Sequence, residues 1–128
     1  MHYRPEARDL ALLPHDPLKA IVAPRPIGWI SALSASGAVN LSPYSFFNLL
    51  SSPPVPIVVF SSEGRKDAVV FVEETREFTC SLATEAMSRQ MSLTSAPLPR
   101  GSSEYEFAGL GMEPSTLVKA PRVKGTPA

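Results

Sequence analysis

Cysteine, histidine and net charge are all scarce in this chain. Cys80 is its one cysteine, so no internal disulfide can form, and a lone thiol suits a reducing, cytoplasmic setting. His2 and His15 are the whole supply of imidazole, and both stand in the N-terminal segment. One cysteine and two remote histidines make no zinc spacing. There is no Gly-x-Ser-x-Gly elbow and no Walker loop, and Gly109-Leu110-Gly111 is too short for a dinucleotide fingerprint. Formal net charge is zero, with 12 Lys plus Arg against 12 Asp plus Glu. A nucleic-acid binder normally carries a basic excess, and nothing here would be drawn to an anionic membrane surface. Met1–Leu13 holds Arg4, Glu6, Arg8 and Asp9 and no apolar core, which argues against a signal peptide.

The longest absence is local. From Pro26 to Ser62 there is no Asp, Glu, Lys or Arg. A membrane span needs about 20 mostly apolar residues, but glycines, asparagines, serines and the prolines at 43, 53, 54 and 56 interrupt this stretch. Two compatible readings remain. The stretch is buried β-structure, or its serines and backbone line a neutral pocket for a large planar ligand.

Proline is what the chain has in excess, with 14 in 128 residues against a usual share of about 5%. Spread from Pro5 to Pro127, these prolines argue against a helical bundle and fit a β-rich domain with many edges and turns. The length sets a limit of one domain, 1–128, with residues 1–20 as a lead-in segment.

Ile27–Leu33 reads as a strand, with Ile27, Trp29 and Leu33 on one face and Ile30 and Ala32 on the other. Ser36-Gly37 marks a turn, and Val39–Leu41 returns as a second strand. Val55–Ser61 is an apolar, β-branched run of the kind buried on both sides. Asp67 is placed to cap a helix running to Arg76, with Val69 and Val72 on its buried face. Glu77–Leu82 alternates as a strand, with Phe78 and Cys80 together. Thr84 is placed to cap a second helix whose Met87 and Met91 belong to the core. Ala96–Glu113 reads as a long loop anchored by Phe107, and Leu117–Val123 as a last strand. Five or six strands with two short helices predict a small, partly open barrel, mainly β.

Two cations bracket the uncharged stretch. Arg25 lies between Pro24 and Pro26, which restrict the backbone around it to extended geometry. Lys66 stands at the mouth of the Asp67 helix, where backbone donors and a cation suit a phosphate. Ser31, Ser61 and Ser62 offer further hydroxyls. Surface ion pairing is the plain alternative for both cations, and Glu73-Glu74 reads as a solvated face.

Five segments, taken in order, resemble one known family. Pro24-Arg25-Pro26-Ile27-Gly28-Trp29-Ile30-Ser31 is similar to the Pro-Arg-Pro strand opening of the flavin reductase-like proteins. Gly37-Ala38-Val39-Asn40-Leu41-Ser42-Pro43-Tyr44-Ser45-Phe46-Phe47-Asn48 resembles their Gly-x-x-Asn-x-Ala-Pro-x-Ser-x-Phe-Asn block. Pro53-Pro54 before an apolar strand, Lys66-Asp67 before a helix, and Glu77-Phe78 opening a strand match as well.

The resemblance implies an FMN-binding split β-barrel, usually a homodimer with flavin near the subunit boundary. It implies an NAD(P)H:flavin oxidoreductase of the two-component monooxygenase type, with a monooxygenase or other electron acceptor as partner. The alternatives are a flavoredoxin-like electron carrier without turnover of its own, or a dimerising barrel that binds no flavin. By position, Arg25, Ser31, Ser62 and Lys66, with Asp67 beside it, would hold the phosphate and ribityl end. Ser42, Pro43, Tyr44 and Ser45 would run beside the isoalloxazine ring. Ala32 and Ala68 stand where the family often has threonine. Each lost hydroxyl removes a hydrogen bond worth about 1.5–3 kcal/mol when its partner is charged. Family chains continue past the position of Ala128 with strands that close the barrel, so exposed edges are expected here, covered by a second subunit. No side chain is expected to act as a catalytic acid or base; the chemistry would be the cofactor's.

Overall fold

The computed structural model describes residues 3–128, so His2 lies outside the described residues. Its centre is a three-stranded antiparallel sheet. Strand β1, Gly28–Leu33, pairs on one side with β2, Val39–Tyr44, from Gly28 opposite Tyr44 to Leu33 opposite Val39. The hairpin turns through Gly37 at φ 92°, a conformation that glycine adopts without steric cost. On its other side β1 pairs with β5, Thr79–Ser81. Strands β3, Phe47–Ser51, and β4, Ile57–Phe60, form a separate hairpin with an irregularity between Leu49 and Ser51. Two short strands, β6 at Met112–Glu113 and β7 at Arg122–Val123, pair near the end of the chain.

Four short helices fill the connections: α1, Pro17–Ile21; α2, Asp67–Thr75; α3, Ser88–Leu93; and α4, Glu104–Phe107. Among the described residues none is long and apolar enough to cross a membrane.

Strand alternation splits the core in two, as β1 predicts. Trp29 packs with Leu41, Tyr105 and Val123 on one face, with Met87 and Met91 against them. Ile30 packs with Tyr44 and Ala68 on the other, with Phe47, Phe60 and Phe78 around them. The Trp29 indole donates to Thr94 Oγ1 at 2.9 Å, which satisfies a fully buried N–H.

Several expectations need correction. The run at Val55–Ser61 is not buried on both sides. Its strand is β4, and Ile57, Val58 and Val59 are all exposed although they alternate across the strand, so among the described residues neither face of it is fully covered here. In α2 the capping position belongs to Lys66, not Asp67. Asp67 is the first helical residue, and its carboxylate accepts from Arg100 Nε at 2.9 Å. The buried face of α2 is Ala68 and Phe71, one position from Val69 and Val72, so the expected helix is right and its rotation wrong. Thr84 makes no side-chain cap, and the chain enters α3 through a 3-10 turn at Glu85–Met87. Cys80 is exposed and does not share the buried environment of Phe78. The region 96–113 contains α4, whose anchor is Tyr105 at 0% exposure rather than Phe107 at 52%. Leu117 is exposed, and only Arg122–Val123 of the last expected strand pairs.

Candidate functional site

Where β2 ends and α2 begins, the chain leaves an open cleft of about 450 Å³. That lies within the range of small-molecule sites, about 300–1,000 Å³. Three elements build it. Strand β2 supplies Asn40, Ser42, Pro43 and Tyr44; the mouth of α2 supplies Lys66 and Asp67; the segment from Ser95 through Arg100 to Glu104 closes the far side. A smaller hollow of about 160 Å³ lies across Pro43 and Tyr44, lined also by Lys19, Ser45, Phe46, Ser61, Glu63 and Lys66. Pro43, Tyr44 and Lys66 are common to both.

The cations of the site differ in what they are committed to. Arg100 pairs with Asp67, and Lys19 with Glu63 at 2.8 Å. Lys66 is exposed and forms no ion pair among the described residues. It stands at the N-terminus of a nine-residue helix, where backbone N–H groups lack carbonyl partners and the dipole favours negative charge. Arg25 is placed differently. Its Nε donates to Ser45 Oγ at 3.2 Å, and its guanidinium donates to the carbonyls of Lys19 and Val22 at 2.6 and 2.7 Å. It lies over the Phe46 ring, 5.8 Å from the centroid. Arg25 therefore ties the end of α1 to Ser45 and meets the site through that hydroxyl.

Seven of the ten sequence-predicted residues converge here: Ser42, Pro43, Tyr44, Lys66 and Asp67 in the larger cleft, and Ser45 with Arg25 behind it beside the smaller. Three do not. Ser31 and Ala32 are at 0% exposure in the central strand β1, which has a neighbour on each edge and packing on both faces. Ser62 lines a separate open groove with Phe60, Arg65, Val69 and Val72, its hydroxyl donates to the Gly64 carbonyl at 2.9 Å, and it meets the site only beside the Tyr44 hydroxyl.

Sequence reasoning missed Glu104. Its carboxylate is buried, 7% exposed, and forms part of the cleft wall. One oxygen accepts from Asn40 Nδ2 at 2.9 Å and the other from the Leu41 N–H at 3.1 Å. Burial raises its pKa, and those two donors oppose the shift. A signal was present, since Ser103-Glu104-Tyr105-Glu106 has the Ser-x-x-Glu form that opens helices. Tyr44 carries a buried hydroxyl without a hydrogen-bond partner of good geometry among the described residues, and burial raises its pKa against the nearby Ser62 hydroxyl. Among the described residues no cluster of three or more His, Cys, Asp or Glu is placed to hold a metal ion.

The chain is 40% identical over 109 residues to an uncharacterized protein of Aquifex aeolicus, a match covering 81% of this chain and 55% of that one. It thus spans about half the length of that relative. The structure of nitrilotriacetate monooxygenase component B from Bacillus cereus superposes with a TM-score of 0.82 at 26% identity, over 98% of this chain and 63% of that one. The 2-nitrobenzoate 2-nitroreductase of Pseudomonas fluorescens gives 0.77 at 26% identity, over 99% and 61%. The fold is the split barrel that the motifs imply, mainly β with short helices. The flavin reductase like domain model matches residues 22–128, and the chain belongs to that family.

Proposed function

We propose that the protein binds FMN in the cleft between β2 and α2 and serves as an NAD(P)H-dependent flavin reductase. The observation that carries this reading is Lys66, a cation at a helix mouth with no ion pair among the described residues, beside the uncharged side chains of Ser42, Pro43 and Tyr44. The donor set fits the group. A phosphate suits Lys66 and the first N–H groups of α2. A planar neutral ring suits Ser42, Pro43 and Tyr44, and on the free edge of β2 the Pro43 carbonyl is an acceptor, proline having no N–H to donate.

FMN held by these residues would supply the redox chemistry, as an acceptor of hydride from a reduced nicotinamide. The chain's own residues bind and orient. Lys66 neutralises phosphate charge, Ser42 and Ser45 direct hydrogen bonds from either side of Pro43-Tyr44, and Arg25 fixes Ser45. His15 is exposed in the lead-in and lines neither cleft. The exposed apolar residues Leu49, Leu50, Ile57, Val58 and Val59 of the β3–β4 hairpin support a homodimer in which a second subunit covers them. The name of the Bacillus cereus protein supports a monooxygenase as acceptor of the reduced flavin.

The purified chain, titrated with FMN and followed by quenching of flavin fluorescence, tests the reading. Saturable binding followed by oxidation of NADH or NADPH is the expected result. Binding without oxidation would move the protein to the electron carriers. No binding at all would refute the flavin assignment.

A further inference from the structure

The wall of the cleft contains a directed chain of hydrogen bonds that begins outside the motif block. An ionised carboxylate only accepts. Both oxygens of Glu104 do so, one from Asn40 Nδ2 and one from the Leu41 N–H. The Asn40 amide nitrogen must therefore face Glu104, which turns Oδ1 the other way. There the Ser42 hydroxyl donates to it at 3.3 Å. Asn40 and Ser42 are alternate residues of β2 and share one face of the strand. Serine has a single hydroxyl hydrogen. With that hydrogen directed to Asn40, Ser42 presents only lone pairs to the cleft that it lines.

We propose that Glu104 is a positioning residue: acting through Asn40, it sets Ser42 as a hydrogen-bond acceptor toward the bound ligand, so that the cleft reads a ligand N–H. This rests on the flavin reading, and the isoalloxazine offers one ring N–H between two carbonyls on its polar edge. The isosteric change Glu104→Gln would invert the chain without changing its shape. The new amide oxygen keeps the Leu41 N–H, and the new amide nitrogen needs an acceptor. Asn40 then turns its oxygen to that nitrogen and its own nitrogen to Ser42, and the Ser42 hydrogen swings into the cleft. Protonation of Glu104 would do the same. Lys66 and Asp67 from α2, Arg100 from the segment before α4, and Tyr44 from β2 line the same cleft, and Asp67 adds to the rise in the Glu104 pKa.

The test is FMN affinity, by fluorescence quenching, in the full chain and in Glu104→Gln, Ser42→Ala and the double variant at neutral pH. Each single change should weaken binding about tenfold, the loss of roughly one hydrogen bond. The double variant should match Ser42→Ala, because without the hydroxyl there is nothing for Glu104 to orient. Losses that multiply in the double variant, or no loss in Glu104→Gln, would overturn the proposal. Should Glu104→Gln not fold, as judged by thermal melting, the unmodified chain is compared with Ser42→Ala across the acid range. Titration of the flavin phosphate cancels in that ratio. The ratio should close as Glu104 protonates; a ratio constant with pH overturns the proposal. If the unmodified chain does not bind FMN, the flavin reading fails, and this inference with it.

Discussion

Changing Lys66→Ala isolates the charge on which the flavin assignment rests. The Lys66 side chain is exposed and makes no ion pair among the described residues, so its removal opens no cavity and orphans no partner. Stability should stay within about 0.5 kcal/mol, as for most surface changes. Binding should not be spared. A hydrogen bond to a charged group contributes about 1.5–3 kcal/mol, and every 1.4 kcal/mol is about a factor of ten. FMN affinity should therefore fall by roughly tenfold to a hundredfold. Because the site is open, salt should screen the interaction, and the difference between the two proteins should narrow as ionic strength rises. Riboflavin, which has the same ring and no phosphate, is the control, and its affinity should be nearly equal in both. The assay is parallel quenching titration of the two flavins at low and high salt. Equal FMN affinity in the variant would refute the phosphate assignment, and an equal loss for riboflavin would move Lys66 to the ring.

Three further outcomes follow from the packing. Thr94→Val would leave the buried Trp29 N–H without its 2.9 Å acceptor at a cost of about 1–3 kcal/mol; thermal melting should show a lower Tm, and in a Trp29→Phe background the same change should cost less, since only the bond that Thr94 Oγ1 donates to the Met91 carbonyl is then lost. A Cβ on Gly28 would meet the Phe47 ring at 2.5 Å, so Gly28→Ala should destabilise by about 1–3 kcal/mol through overpacking, measured by urea unfolding. The β3–β4 hairpin leaves Leu49 and Leu50 exposed at 55% and 65%; sedimentation at low micromolar concentration should find a dimer, and Leu50→Lys should shift it toward monomer.

Much of the framework was legible because its signals are local. The alternation of Ile27–Leu33 and the Ser36-Gly37 turn are enough to place β1 and β2, whose register then follows from a tight hairpin. The helix after Lys66 was legible too, but not its rotation. Val69, Val72, Ala68 and Phe71 are all apolar enough to face inward, and the choice falls to the ring cluster of Tyr44, Phe60 and Phe78 above Ala68. Burial of β4 was misjudged for a related reason. A run of Ile57, Val58 and Val59 reads the same whether another layer covers it within the chain or not, and among the described residues none does.

The site divides along the same line. Ser42, Pro43 and Tyr44 share a cleft with Lys66 although more than twenty residues separate them, and the motif order carried that pairing. Glu104 could not be found that way. Its partners Asn40 and Leu41 lie 64 and 63 positions away, and a carboxyl beside Tyr105 in a Ser- and Gly-rich segment looks like ordinary surface. What makes it buried is Tyr105 itself. That side chain fills the core against Trp29 and Leu41, and its insertion carries the preceding residue into the wall of the cleft. The carboxylate tolerates this because two donors from β2 meet it there, replacing part of its lost hydration. A single aromatic anchor thus sets both the packing of α4 and the hydrogen-bond direction of the cleft, so substitutions at Tyr105 should disturb ligand affinity as well as stability.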